Sequence, residues 1–306
     1  MLDVKCPFCG SESDELWKDE VFTLHQCKSC TLVFKHIPEL NRKKVEELQA
    51  GLYTDEVDRA KVKKLYKMIK DRVEILKAYK SSGKLLEIGC ATGAFLNEAK
   101  QQGFDVVGLD ASSNYAKFTK ELGLEVRHGR LEDVAFEKEQ FDVIAFSHLL
   151  EHIENPLTFL EEVKTYLKPD GIIFLVVPNV DSSTNKILGY KHSTYQQPDH
   201  LFFFSKTTLN NYLDKAGFVT QKIISKEYTH HIFNTIKGYF RYKNASVKTE
   251  TGKESNGNKS GIKKQLKTKL PHVMGTVLYP FTRSYGLVLE KGLKGHELIA
   301  VAKKKS

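Results

Sequence analysis

No run of apolar residues in this 306-residue chain approaches the ~18 needed to cross a bilayer. A hydrophobic signal core is missing as well, because charged and polar side chains begin at Asp3. Together these absences predict a cytoplasmic protein, in a compartment that keeps thiols reduced. Cysteine is scarce, five residues in all, so a disulfide-stapled scaffold is not expected. What is present suits a large buried core, since 41% of the residues are hydrophobic.

Four of those five cysteines are not scattered. Cys6-Pro7-Phe8-Cys9 and Cys27-Lys28-Ser29-Cys30 are two Cys-x-x-Cys knuckles with 17 residues between them, a spacing expected of a four-thiolate zinc site. Each knuckle grips one side of a tetrahedron, and a closed four-cysteine set leaves no open position, so the metal reads as structural. Disulfides are the rival reading, disfavoured by the compartment. Val21–Gln26 and Leu32–Phe34 alternate as the strands of a small ribbon over residues 1–36. His25 lies between the knuckles, but four thiolates make it redundant as a ligand.

The fifth cysteine sits in the most informative segment, Leu85-Leu86-Glu87-Ile88-Gly89-Cys90-Ala91-Thr92-Gly93-Ala94-Phe95-Leu96. It reads as a buried strand, a glycine-hinged turn and a helix start, followed by a strand ending in Asp110. Glycine lets the backbone turn sharply and approach a ligand, and amides at a helix start favour polar or anionic groups. An acid about 20 residues beyond such a turn suits ribose hydroxyls. A lone glycine turn is weak evidence, and Ala91 stands where a dinucleotide fold prefers its middle glycine. With Glu87, Gly89, Ala91, Gly93 and Asp110 in register, the chain resembles the class I S-adenosylmethionine-dependent methyltransferases. Further stretches match in the same order: Gly129–Asp133 beside the adenine, Phe141–His148 as strand four, Leu149–Ile153 after it, and Leu167–Gly171 before strand five. The resemblance covers residues 83–230 and the last strand. It implies S-adenosyl-L-methionine as cofactor, held by Glu87, Gly89, Cys90, Ala91, Thr92, Gly93, Asp110, Leu131, Glu132, Ser147 and His148. Arg130 departs from the pattern, since relatives often carry an acid there. Cys90 is expected to line the pocket as a small apolar group and not to act as a nucleophile.

Short apolar runs alternating with helical stretches predict a Rossmann-like α/β fold, a seven-stranded, mostly parallel sheet with helices on both faces, beside the small ribbon. Strands are expected near 84–88, 104–110, 124–128, 141–147, 171–177, 218–225 and 296–302, and helices near 93–102, 112–122, 155–167 and 205–216. Within a connector at 37–82, Val62, Leu65, Ile69, Val73, Leu76 and Tyr79 recur at three and four residue spacing as one apolar stripe. The catalytic core is assigned to 83–233, a basic insert to 234–294, and the returning last strand and tail to 295–306. In such sheets ligands bind beyond the carboxyl ends of the strands, where Glu87, Asp110, Ser147 and His148 should converge.

Methyl transfer from a sulfonium asks for alignment of an acceptor lone pair and, for a hydroxyl or acidic CH acceptor, a base. Histidine is the natural one near neutral pH. His200, with Asp199 beside it in a loop after strand five, is the favoured acceptor-side pair; the plain alternative is that His200 only bonds the next helix start. His152 is a further candidate that caps or orients its helix, and by resemblance His148 lines the methionine end of the cofactor.

The formal net charge of +9 is uneven. Residues 237–306 hold 16 basic and 4 acidic side chains, which leaves 31 basic and 34 acidic elsewhere. Asn244–Lys269 is polar and reads as a mobile loop. Pro271–Leu293 is apolar beside lysines, a pairing suited either to an anionic membrane or lipid-linked substrate, or to a lid on the sheet. A ribbon ahead of this fold, with Asp199-His200-Leu201-Phe202-Phe203-Phe204-Ser205, is similar to bacterial enzymes that methylate sugars or surface glycans. A small-molecule or glycan acceptor is therefore expected, with RNA base methylation as the alternative and a non-enzymatic scaffold as a third reading. Nucleic acid is disfavoured because the ribbon lacks a dense arginine cluster with exposed aromatics.

Overall fold

In the computed structural model, residues 4–45, 47, 59–228 and 286–305 are described, the side chains of 59–67, 191 and 193 excepted. The ribbon strands come first: β1 (Ser13–Lys18), β2 (Thr23–Cys27) and β3 (Val33–His36). Helix α1 (Arg59–Lys77) then leads into β4 (Gly83–Ile88), α2 (Ala94–Gln101), β5 (Phe104–Asp110), α3 (Ser113–Glu121) and β6 (Glu125–His128). The second half runs β7 (Phe141–Ser147), α4 (Pro156–Tyr166), β8 (Leu167–Pro178), α5 (Ser183–Leu188) and α6 (Ser193–Gln196). It closes with β9 (Phe202–Phe203), α7 (Lys206–Lys215), β10 (Phe218–Lys226) and β11 (Glu297–Lys304).

Seven strands form one sheet in the order β10-β11-β8-β7-β4-β5-β6. The five from β8 to β6 are parallel, while β11 runs antiparallel to both β8 and β10. This is the expected mostly parallel sheet, with its last strand contributed from beyond the insert. The strand expected from Gly171 begins earlier, because Leu167 already pairs with Phe141 across a register irregularity. Most of the basic insert, including Asn244–Lys269, lies outside the described residues. Residues 286–291 are helical, with Leu289 buried and Leu287 and Val288 exposed. Among the described residues no helix is long and apolar enough to cross a membrane.

Strand alternation sends side chains to two covered faces. On one, Leu85, Val106, Val143 and Phe174 meet Leu96 of α2 and the α1 stripe residues Ile69, Val73 and Leu76. Three of the expected stripe positions are thus buried, whereas Tyr79 is exposed. On the other, Leu86, Val107, Ile144 and Leu175 meet α4 and α7 through Leu160, Val163, Leu209 and Leu213. Each such side chain taken fully out of water contributes about 2 kcal/mol.

The ribbon is not a separate bead. It is a four-stranded sheet, β1-β2-β3-β9, and its fourth strand belongs to the core. Val33 pairs with Phe203 and Phe34 with Phe202, antiparallel. One ribbon face, with Cys6, Cys27, Leu32 and Phe34, joins the α4–α7 cluster; the other, with Phe22, Leu24 and Val33, closes on Tyr195 and Phe203. The Val180 amide donates to the Phe204 carbonyl (3.0 Å), linking the end of β8 to this small sheet.

Candidate cofactor and acceptor site

The glycine turn follows β4 directly. Gly89 and Gly93 have φ of +72° and +67°, and Ala91 sits at +43°. At Gly93 a side chain is excluded twice over: a Cβ there would lie 2.3 Å from Thr119 Cγ2. The Thr119 hydroxyl itself donates to the Ala91 carbonyl (2.8 Å). Asp110 ends β5 and fastens the turn, accepting from the Ala91 amide (2.7 Å) and the Ser112 amide (2.9 Å). No side chain caps the start of α2 after Gly93, so its first amides keep no internal partner.

Beside this turn lies a cavity of about 230 Å³, lined by Glu87, Gly89, Cys90, Ala91, Thr92, Ser147 and His148 from the expected set. Gly93 and Asp110 shape the turn from behind. Leu131 is buried next to β6, whereas Glu132 is exposed and its carboxylate lies 3.9 Å from Arg130. The cavity contains an orphan suited to a ligand: Glu87 is almost fully buried and its Oε2 has no hydrogen-bond partner. Burial, then the neighbouring Asp110 carboxylate, pushes the Glu87 carboxyl well above its usual range, against the pull of Arg72. A buried acid at a strand end, a turn with open amides and a second acid behind it fit the amine, carboxylate and ribose of S-adenosylmethionine.

The remaining wall comes from residues outside the expected set. Met68, Ile69 and Arg72 of α1, Ala94 and Phe95 of α2, Ala145 and Phe146 of β7, and Phe174 and Val176 of β8 complete the lining. Arg72 donates to Ser147 Oγ (2.9 Å) and to Glu297 Oε2 (2.6 Å), both ions being nearly inaccessible. Glu297 is shared, because its Oε1 is 3.1 Å from His148 Nε2. Arg72 had a sequence signal, since spacings 69, 72, 73 and 76 put a cation on the apolar face of α1. Glu297 had one as well, an acid opening an apolar strand.

His148 has a φ of +51° and reaches Glu151 with Nδ1 at 3.3 Å. Burial opposes its protonation, but Glu151 and Glu297 win and raise the imidazole to about 9. Glu151 is fully buried; desolvation is outweighed by His148, and its carboxyl stays below the usual range. The expected acceptor-side residues assemble on this pair. His152 Nδ1 lies 3.0 Å from the Asp199 carbonyl and 3.2 Å from its Oδ2. Although the sequence sets Asp199 beside His200, the carboxylate partners His152. The His200 ring stands edge-on to His152 with centroids 4.7 Å apart. Burial drives His200 down to about 4, so it is neutral at pH 7, and its Nδ1 has no hydrogen-bond partner. Ligand atoms of Glu151, His152 and His200 all lie within 4.8 Å of one another, a donor set of the kind that holds a divalent cation.

At the other end of α7, the four ribbon sulfurs are also mutually within 4.8 Å, with Cys6–Cys30 at 3.6 Å and Cys9–Cys27 at 3.4 Å. None is in a disulfide. A tetrahedron with metal–sulfur bonds of ~2.3 Å has edges of about 3.8 Å, so the donors and their spacing fit one zinc ion. Amides of Ser29 and Cys30 point at Cys27 Sγ (3.4 and 3.3 Å), as thiolate ligands require. His25 is engaged elsewhere, by Ser13 and Thr23 hydroxyls at 3.2 and 2.8 Å.

Comparison with known proteins agrees with this geometry. A family described as "Methyltransferase domain" matches residues 59–223. An uncharacterized protein of Methanocaldococcus jannaschii is 31% identical over 150 residues, covering 49% of this chain and 71% of that protein. A ubiquinone biosynthesis O-methyltransferase of Haemophilus ducreyi is 32% identical over 107 residues, which is 31% of this chain and 45% of the relative. The chain thus spans less than half the length of that enzyme. Among solved structures, a phosphoethanolamine N-methyltransferase 2 of Haemonchus contortus in complex with S-adenosyl-L-methionine superposes with a TM-score of 0.53 at 17% identity, covering 90% of this chain and 63% of that one.

Proposed function

The chain belongs to the methyltransferase-domain family and is an S-adenosylmethionine-dependent methyltransferase; from that premise we propose that its acceptor is a hydroxyl-bearing small molecule, of the sugar, nucleotide-sugar or surface-glycan type. The observation that carries this reading is the cluster of Glu151, His152, Asp199 and His200, joined to the cofactor cavity through His148, which lines it. The similar proteins include ubiquinone biosynthesis O-methyltransferases, whose name assigns an oxygen acceptor.

The cofactor supplies a methyl group already activated on a sulfonium sulfur. Glu87, the turn amides and Asp110 would hold it, and Arg72 and Glu297 fix the Ser147–His148 wall by charge-assisted bonds. Because His148 is protonated at neutral pH, it serves the wall as a cation and not as a base. The proton acceptor is therefore assigned to the two inner histidines. His200, neutral and with an open Nδ1, receives the hydrogen bond of the incoming hydroxyl, and the Asp199–His152 pair stabilises the proton that leaves it. Burial excludes water that would otherwise compete for this position. In the ribbon, Cys6, Cys9, Cys27 and Cys30 would hold a structural zinc.

Radiolabelled S-adenosylmethionine supplied with the enzyme to fractionated cell extract tests the acceptor class. Label in nucleotide-sugar or glycan fractions is expected; label confined to RNA would overturn the reading.

A further inference from the structure

The ribbon does more than bring four cysteines together, because one of its residues holds both ends of the segment that carries Asp199 and His200. Lys35 lies on β3, and its backbone amide donates to the Leu201 carbonyl at 2.8 Å, just beyond His200. Its ammonium donates to the Gln197 carbonyl at 2.6 Å, two residues before Asp199. The same Gln197 carbonyl accepts the His200 amide (3.3 Å), and the Leu201 amide donates to the Glu151 carbonyl (2.8 Å). Residues 198–200 therefore form a short turn pinned at its two feet to the ribbon and, beyond it, to the segment that carries Glu151.

Lys35 is an unusual residue for such a place. Only 7% of it is exposed, and its Nζ sits 3.9 Å from the Phe22 ring centroid. Burial lowers its pKa to about 8, while the Asp199 and Asp19 carboxylates act in the opposite sense. A buried ammonium on a carbonyl, over an aromatic face and in the field of two carboxylates, costs desolvation that a plain packing role would avoid with an apolar side chain.

We propose that Lys35, contributed by the metal ribbon, is a positioning residue of the acceptor site, clamping the Gln197–Leu201 turn so that Asp199 stays on His152 and His200 stays beside it. This rests on the reading of that turn as acceptor-facing, but its physical content does not need an acceptor. The ribbon's fold, and with it the state of the four thiolates, is thereby coupled to the geometry of the two histidines across the β3–β9 pairing.

The full chain with Lys35→Met is compared with wild type and Lys35→Arg by hydrogen exchange over peptides spanning 197–203, by NMR titration of the His152 ring, by zinc content and by S-adenosylmethionine affinity. In Lys35→Met the His200 and Leu201 amides should exchange about tenfold faster or more, as expected for loss of one charge-assisted bond. The His152 titration should move to lower pH, because Asp199, released with the turn, no longer stays on the imidazole whose protonated form it stabilises. Cofactor affinity should stay within about twofold, the site being remote. Lys35→Arg, which keeps the charge, should restore the His152 titration. Zinc-loaded, folded Lys35→Met with wild-type exchange and wild-type His152 titration would overturn the proposal. If that variant does not fold, Lys35→Gln is read by the same two measurements. Should the clamp hold while His200→Ala retains full turnover, the acceptor reading falls and the clamp stands.

Discussion

Two histidines of one cluster, His148 and His200, differ in charge at neutral pH. His200 is held neutral by burial, and the geometry gives it an open nitrogen; His200→Ala should keep S-adenosylmethionine affinity and lose turnover by ~10²–10⁴-fold, the usual contribution of a positioned base. Unchanged turnover with the natural acceptor would remove it from the mechanism. His148 is raised to about 9 from an ordinary value of 6.5, so its ion pairs stabilise the fold fully below about pH 6.5 and are lost as pH rises through about 9. With 38% of the side chain exposed, solvent screens part of that effect. The difference in melting temperature between wild type and His148→Gln should accordingly shrink from pH 6 to pH 9.5; a constant or growing gap would contradict the assigned charge. Arg72 and Glu297 show what a sequence conceals at this scale. Each is legible alone as an ion on an apolar surface, but the two are 225 residues apart, and only the fold shows that they neutralise one another.

Among elements, the turn between β4 and α2 is the least tolerant. Gly93→Ala would put a methyl group into Thr119 and hold a non-glycine residue at φ +67°, and about 1–3 kcal/mol of destabilisation is expected from the backbone conformation alone, before the clash is counted. Thermal melting of the cofactor-free variant checks this independently of binding; a melting temperature equal to wild type would mean that α3 moves aside freely. This turn, the seven strands and four of the helices were legible from glycine placement and from the alternation of apolar runs. The fourth ribbon strand was not. Phe202–Phe203 is too short to announce a partner, and its pairing with β3 spans almost 170 residues of chain. The carboxylate of Asp199 escaped for a related reason, since adjacency in sequence suggested His200 whereas the turn at 197–200 aims the side chain at His152.

For the molecule as a whole, the ribbon packs its side chains on the sheet, while the four clustered cysteines lie in the ribbon alone. Cys27→Ser should lower zinc content, loosen β1–β3 and β9, and leave S-adenosylmethionine binding to the β4–β7 side in place, because the cofactor wall draws no residue from the ribbon. Zinc measurement with calorimetry of cofactor binding would detect this separation; simultaneous loss of both would show a single cooperative unit. The charge distribution belongs at this scale as well, with the positive excess concentrated in 237–306 and the remaining chain slightly acidic.

The strand order β10-β11-β8 sets a constraint on how the polypeptide is born. β11 is wedged between two strands that leave the ribosome before it, and 70 residues separate it from β10. Until those residues have been translated, β8 presents a bare hydrogen-bonding edge and β10 has no strand to join. The nascent protein must therefore wait with its sheet unfinished, and its yield in a cell should depend on whatever shields that edge during translation.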